Sequence, residues 1–338
     1  MLAAPLTFES RATPPLRPLN LRTDVSQVLA LLDTVFAPHR DEEGRRLLKK
    51  MSLAQYPWLI LRLRQMVDGI VPGFVWEEEG SIVGNVSLLT TRTAGRYLVA
   101  NVAVHPHYRR RGIARALMEA VITLVRRRGG RELLLQVREN NEGAIRLYDS
   151  LDFVGLGSVT SWYAHYGSLR ALPAPVARRG PDRFEHFSLR PLRRSEWHAA
   201  WRLDRASTHP DLHWPEPLPR DAYRAGVLRG FLDLLNARRA EHWVAAGDAA
   251  SVEKRELLAI GTILSEWGRY HTLNLRVHPA WRGQVEPALL AKLVRRLTYL
   301  PGRNIRMDHP AGDPTTDALL RRANFRARRT LLVMKLEL

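Results

Sequence analysis

The feature that most constrains this chain is a repeat. Leu16-Arg17-Pro18-Leu19 recurs as Leu189-Arg190-Pro191-Leu192, an offset of 173 residues (189 − 16), and Val104-His105-Pro106 recurs as Val277-His278-Pro279 at the same offset (277 − 104). Leu151-Asp152-Phe153 has a counterpart in Ala323-Asn324-Phe325, 172 residues on (325 − 153). One such match is chance; three at nearly one spacing indicate a duplicated domain. A length of 338 residues exceeds the usual single core and suffices for two. Between the copies, Ala171 to Pro181 is rich in proline and small residues and reads as a semi-rigid linker. The expected organisation is one domain over 14–170, a linker over 171–182 and a second domain over 183–338.

Within each copy the pattern reads strand, helical region, two or three strands, helix, strand, helix, strand. In the first copy the periodicity predicts a helix over Val25 to Phe36, a longer helical region over Glu42 to Val67 interrupted at Pro57, and a hairpin of Phe74–Glu78 and Ile82–Leu89 turning at Gly80. Leu98, Val99, Val102 and Val104 form an apolar strand that stops at Pro106, which lacks a backbone donor. Ile113, Leu117, Ala120, Val121 and Leu124, spaced by three and four, predict the next helix, closed by Gly129-Gly130 after the cationic turn Arg126–Arg128. A strand over Leu133–Val137, a helix after Asn141 and an alternating strand over Phe153–Tyr166 complete the copy, the last being the counterpart of Phe325–Leu338. The fold class is α/β, a mixed central sheet flanked by helices.

The chemistry concentrates where strand meets helix, between Val104 and Ala114. The first N–H groups of a helix have no internal partner and carry partial positive charge, so this end attracts phosphate. Gly112 permits close backbone approach, with Ala114 the next best residue for it, and Arg109, Arg110 and Arg111 add fork-shaped donors. The sum is a pyrophosphate site. R-R-R-G-I-A over 109–114 resembles the R/Q-x-x-G-x-G/A signature of the GNAT N-acetyltransferase superfamily, filled by Arg109, Gly112 and Ala114. The segment Asn141-Glu142-Gly143-Ala144-Ile145-Arg146-Leu147-Tyr148, then Leu151-Asp152-Phe153, is similar to that family's N-x-x-A-x-x-L-Y…G-F, with Asp152 where glycine is usual.

The resemblance implies a tandem GNAT fold and transfer of an acetyl group from acetyl-coenzyme A to a primary amine of a small molecule or peptide, by direct attack. It implies pyrophosphate contacts from Arg110 to Arg115, including Ile113, pantetheine contacts from the backbone of Val102, Ala103 and Val104, and a cofactor contact from Asn141. Tyr148 stands where the family commonly places the acid that protonates the leaving thiolate; a tyrosine packed in the helix interface is the alternative. Asn141 serves equally as a helix cap. No general base stands out: Gln136 and Asn101 are inert, His105 and His107 flank the loop, and Glu77, Glu78 and Glu79 belong to a turn. The variable wall of the acceptor cleft is expected from Asp41 to Trp76. The tandem arrangement also resembles the mycothiol synthases, which keep their better signature in the second half.

In the second copy Arg282 persists, but Val285 stands at the place of Gly112, Pro287 at that of Ala114 and Leu320 at that of Tyr148. A β-branched side chain obstructs approach, proline lacks an N–H, and Glu286 sets negative charge beside any phosphate. The second copy is therefore expected to be degenerate, a structural partner or a shaper of acceptor specificity. The competing class for the whole chain is a non-catalytic acyl-coenzyme-A-binding or interaction protein.

The formal charge of +18, from 52 basic against 34 acidic residues, raises nucleic acid as a partner. Yet no basic run is interleaved with aromatics as a single-strand groove would want, and nucleic-acid binding is not expected as the main role. With no cysteine there are no disulfides, thiolate nucleophiles or cysteine metal sites, and no metal is expected. No apolar run is long enough to span a bilayer, and the start does not read as a signal peptide. Cytoplasm is the expected location, and a homo-oligomer is left open.

Overall fold

The computed structural model describes residues 15–36, 70–175, 184, 186–224, 238–247, 257–266 and 270–338. The predicted helical region over 42–67, most of the linker and most of the expected acceptor wall lie outside these residues. The first copy contains β1 (Leu16–Pro18), α1 (Val25–Phe36), β2 (Ile70–Glu78), β3 (Ser81–Thr90), β4 (Arg96–Val104), α2 (Ile113–Arg127), β5 (Glu132–Arg138), α3 (Glu142–Asp149) and β6 (Val154–Ala164). The second contains β7 (Phe187–Pro191), α4 (Trp197–Ser207), β8 (Arg238–Gly247), β9 (Leu257–Glu266), β10 (His271–Val277), α5 (Glu286–Leu297), β11 (Ile305–Pro310), α6 (Pro314–Arg322) and β12 (Arg326–Glu337). The order of elements is the same in both, and α2 and α5 begin 173 residues apart (286 − 113).

The chain packs as two compact units. In the first, which extends to Leu135 and takes in Leu151–Phe153 and Lys335–Leu338, the strands run in the order β1-β2-β3-β4-β5. Neighbours are antiparallel except β4 and β5, which are parallel. The apolar stripe of α2 (Ile113, Leu117, Met118, Val121, Val125) is buried, and the helix packs against β2, β3 and β4. Each such side chain contributes about 1.5–3 kcal/mol on burial. Gly84 sets the approach: a Cβ there would lie 2.8 Å from Ile113 and 3.1 Å from Leu117. Val28, Leu31 and Leu32 of α1 form a separate cluster with Val75, Ile82 and Ala103.

The second unit, Gln136–Ser150 and Val154–Met334, holds the order β12-β6-β11-β10-β9-β8-β7. Here β6, which comes from the first copy in sequence, pairs antiparallel with β11 of the second, Ala164 opposite Ile305 and Val159 opposite Pro310. Its Trp162, 1% exposed, joins the cluster of Leu289, Leu293, Ile305 and Met307. Conversely the chain's last residues belong to the first unit, where the Leu338 N–H donates to Arg131 O at 2.9 Å and Lys335 lies 3.9 Å from Glu132. The final strand of the first copy thus lies in the second unit, and the last four residues of the second copy lie in the first. A duplicated fold offers each final strand two equivalent positions, as in domain swapping between identical protomers.

Candidate functional site

The site is set by a bulge in β4. Opposite β3, Asn85 pairs with Ala103 and Ser87 with Ala100, so Asn101 and Val102 together face Val86. Asn101 takes φ +54°, the left-handed region that Asn tolerates best among non-glycine residues. Asn85 is fully buried and donates from Nδ2 to Asn101 O at 2.9 Å, pinning the bulge. The parallel ladder with β5 ends at Val99 opposite Leu135, before β4 itself ends at Val104. Past the bulge, Val102, Ala103 and Val104 therefore present a backbone edge on the side away from β3, where a peptide-like arm can hydrogen-bond.

Beyond β4 a 3-10 turn, Pro106–Tyr108, leads to two left-handed residues, Arg110 at φ +65° and Gly112 at φ +79°. Gly112 is the N-cap of α2, and no side chain caps the helix. A Cβ added at Gly112 would have nothing within 4 Å, so glycine here is required by its dihedral and leaves open space before the helix end. Arg109, Arg110, Arg111 and Arg115 are exposed around this space, whereas Ile113 is buried and anchors the helix start. Arg109 Nε donates to Val104 O at 3.4 Å, and Arg111 lies over the Tyr108 ring at 4.9 Å and 3.7 Å from Glu78. An uncapped fifteen-residue helix start, cleared of side chains and ringed by guanidinium groups, fits a phosphate-bearing ligand.

The second copy closes the same position with its own side chains. Gly283 keeps the left-handed turn at φ +82°, but Val285 is fully buried in a right-handed conformation at φ −99°. Glu286 is fully buried, and its Oε1 accepts the Gly283 N–H at 2.9 Å. Burial pushes its carboxyl above the usual range, against hydrogen bonds from the backbone of Gly283, Glu286 and Val285. The N–H groups that would meet an anion already meet a carboxylate.

Asn141 and Tyr148 are carried by the second unit. Asn141 caps α3, its Oδ1 accepting the Ala144 N–H at 3.3 Å. Tyr148 is 6% exposed, and burial pushes its phenol up to about 12. It therefore stays protonated throughout the physiological range.

The candidate bases are otherwise engaged or unremarkable. Glu77 accepts from Arg17 Nε at 2.7 Å, Glu78 accepts from Trp76 Nε1 at 3.0 Å, and Glu79 sits in the β2–β3 turn at φ +51°. His107 is exposed, whereas the buried Nδ1 of half-buried His105 has no hydrogen-bond partner among the described residues. Asp152 and Asn324 stand at φ +65° and +69°, which explains why glycine, asparagine and aspartate are interchangeable there. Sequence reasoning missed Asn85; its one signal is an amide in the otherwise apolar strand S-I-V-G-N-V. No group of three or more His, Asp and Glu side chains among the described residues is arranged to hold a metal ion.

Comparison with known proteins bears on this geometry. Residues 36–153 match the model of the acetyltransferase (GNAT) family. A stretch of 53 residues is 49% identical to the [ribosomal protein bS18]-alanine N-acetyltransferase of Escherichia coli, covering 16% of this chain and 36% of that protein. A stretch of 131 residues is 34% identical to the mycothiol acetyltransferase of Thermobispora bispora, covering 35% of this chain and 44% of that protein. The chain thus spans about a third to under a half of the length of these curated relatives. Over 95% of its length it resembles a tandem GNAT protein from the clavulanic acid biosynthesis pathway (TM-score 0.51, 19% identity, 98% of that chain). A GCN5-related N-acetyltransferase from Sphaerobacter thermophilus is similar over 95% of both chains (TM-score 0.58, 15% identity). At these identities the likeness is one of fold, and it covers both copies. The match over residues 36–153 makes this part of the first copy similar to the GNAT family of acetyltransferases. Among the described residues no helix is long and apolar enough to cross a membrane.

Proposed function

We propose that this protein transfers an acetyl group from acetyl-coenzyme A to a primary amine of a small molecule or peptide, and that the first copy, expected over 14–170, carries the coenzyme site. The observation that carries the reading is the uncapped start of α2, opened by Gly112 at φ +79° with no atom within 4 Å of a Cβ there. The helix start and Arg109–Arg111 hold the pyrophosphate. The backbone of Val102–Val104 takes the pantetheine arm, and one of its N–H groups meets the oxyanion that develops on the thioester carbonyl. The amine nitrogen attacks that carbonyl; the C–N bond forms, the C–S bond breaks, and the thiolate leaves with a proton from the Tyr148 hydroxyl. The amine gives up its proton to water or enters already neutral. Similarity to the bS18-alanine enzyme supports a peptide amino terminus as one acceptor to test first.

The experiment is a thiol-release assay with acetyl-coenzyme A and a panel of primary amines, including peptides that begin with alanine. Because the chain has no cysteine, every thiol detected comes from the coenzyme. Acceptor-dependent thiol release with matching acetylated product by mass spectrometry is expected. Tight coenzyme binding with no transfer to any amine would replace the enzyme by a coenzyme-binding protein.

A further inference from the structure

The second unit has a cavity of about 790 Å³ that the acetyl-transfer reading does not use. Its lining brings together Arg193, Arg194, Arg239, Lys292, Arg295 and Arg296 against a single carboxylate, Glu241. That carboxylate is already taken: Arg296 holds it through two bonds of 2.8 and 3.0 Å, and Arg239 lies 3.2 Å away. The paired guanidinium groups hold Glu241 below the usual carboxylate range, Arg296 foremost, so it stays ionised, and the lining cations outnumber this one negative charge. Arg194 and Arg295 are exposed, and neither has a carboxylate partner among the described residues. Tyr299 stands 68% exposed at the same wall, and Trp243 lies under the Lys292 ammonium at 4.6 Å.

These groups come from the 3-10 turn that precedes α4, from β8 and from the last turns of α5, so no run in the sequence announces them. Cations alone would serve any polyanion, since an arginine fork fits carboxylate and phosphate alike. The exposed aromatic ring favours a ligand that carries flat bases as well as charge, because base stacking on aromatic side chains is the second element of single-strand recognition. We infer that this cavity of the second copy is a binding groove for single-stranded nucleic acid, with the guanidinium groups on the phosphates and Tyr299 stacking a base.

The test is fluorescence anisotropy with the full chain and a labelled single-stranded RNA of about twelve nucleotides. If about four phosphates are neutralised, affinity falls about fiftyfold between 50 and 200 mM salt. Arg194→Glu with Arg295→Glu should weaken binding at least tenfold, and Tyr299→Ala about tenfold. All three residues are exposed, so a thermal melt is expected to report a folded variant. Arg126→Glu with Arg127→Glu, on the distant-in-sequence helix α2, should leave affinity unchanged. Four results each overturn the inference: no binding at 50 mM salt, equal loss in the α2 variant, equal competition by poly-glutamate, or displacement by an equimolar nucleoside triphosphate. The first two would make the charge diffuse, the third would point to an acidic peptide and the fourth to a mononucleotide.

Discussion

Replacing Gly112 by alanine separates the backbone from the ligand. The φ of +79° costs an alanine about 1–2 kcal/mol, part of which is offset because alanine also restricts the unfolded chain. No steric penalty adds to this, since a Cβ at Gly112 meets nothing within 4 Å. The folded state should therefore lose about 1 kcal/mol, a fall of about 2–4 °C in melting temperature. Coenzyme binding should suffer more. A phosphate seated at the start of α2 would have to share the open space at Gly112 with the new methyl, and displacing it from one or two charge-assisted hydrogen bonds costs about 1.5–3 kcal/mol each. Acetyl-coenzyme A affinity should fall at least tenfold, read by calorimetric titration beside a thermal melt. A melt lowered as expected with affinity unchanged would refute the placement of the anion at this helix start. A loss of more than about 4 kcal/mol in stability would refute the open space, because only packing or buried polar defects reach that size.

Three further outcomes follow from the same geometry. Tyr148→Phe should lower the acetylation rate with coenzyme affinity intact; because the phenol is pushed up to about 12, the native enzyme should show no loss attributable to this group up to about pH 10. An unchanged rate in the variant would remove Tyr148 as the acid. His271 is fully buried, with Nε2 at 2.9 Å from Pro301 O and Nδ1 at 2.7 Å from Ser265 Oγ, and burial foremost holds it below the ordinary histidine value. The unfolded chain takes up the proton first, so stability should fall as pH drops below about 6.5, and His271→Asn should flatten that slope in melts at successive pH values. Equal slopes would contradict the assignment. Glu286→Ala should cost about 1–2 kcal/mol by removing the group that accepts the Gly283 N–H, yet titration should still find no coenzyme site there, because the buried Val285 and the half-buried Pro287 remain. A second coenzyme site in this variant would show that Glu286 alone had closed the copy.

Much of the frame was legible because it rests on local periodicity. Helix α1 runs over Val25–Phe36 as the pattern predicts, α2 begins at Ile113 after Gly112, and the β2–β3 turn falls on Glu79-Gly80. The contrast between the copies was legible too, since only glycine takes the Gly112 dihedral without strain and Val285 takes another. What was not legible depends on contacts across the sheet. The bulge at Asn101-Val102 inserts one residue into V-A-N-V-A-V, whose alternation looks regular, and the buried Asn85 that pins it is distant in sequence. The pairing of β6 with β11 leaves no mark, because the same strand suits either copy. The cationic cavity escaped a search for linear runs because three elements assemble it.

The most direct measurement is a calorimetric titration of acetyl-coenzyme A into the intact chain, kept whole because the copies share strands. One site per chain, lost in Gly112→Val, is the predicted result. Two sites, or one that survives Gly112→Val, would contradict the assignment of coenzyme binding to the first copy alone.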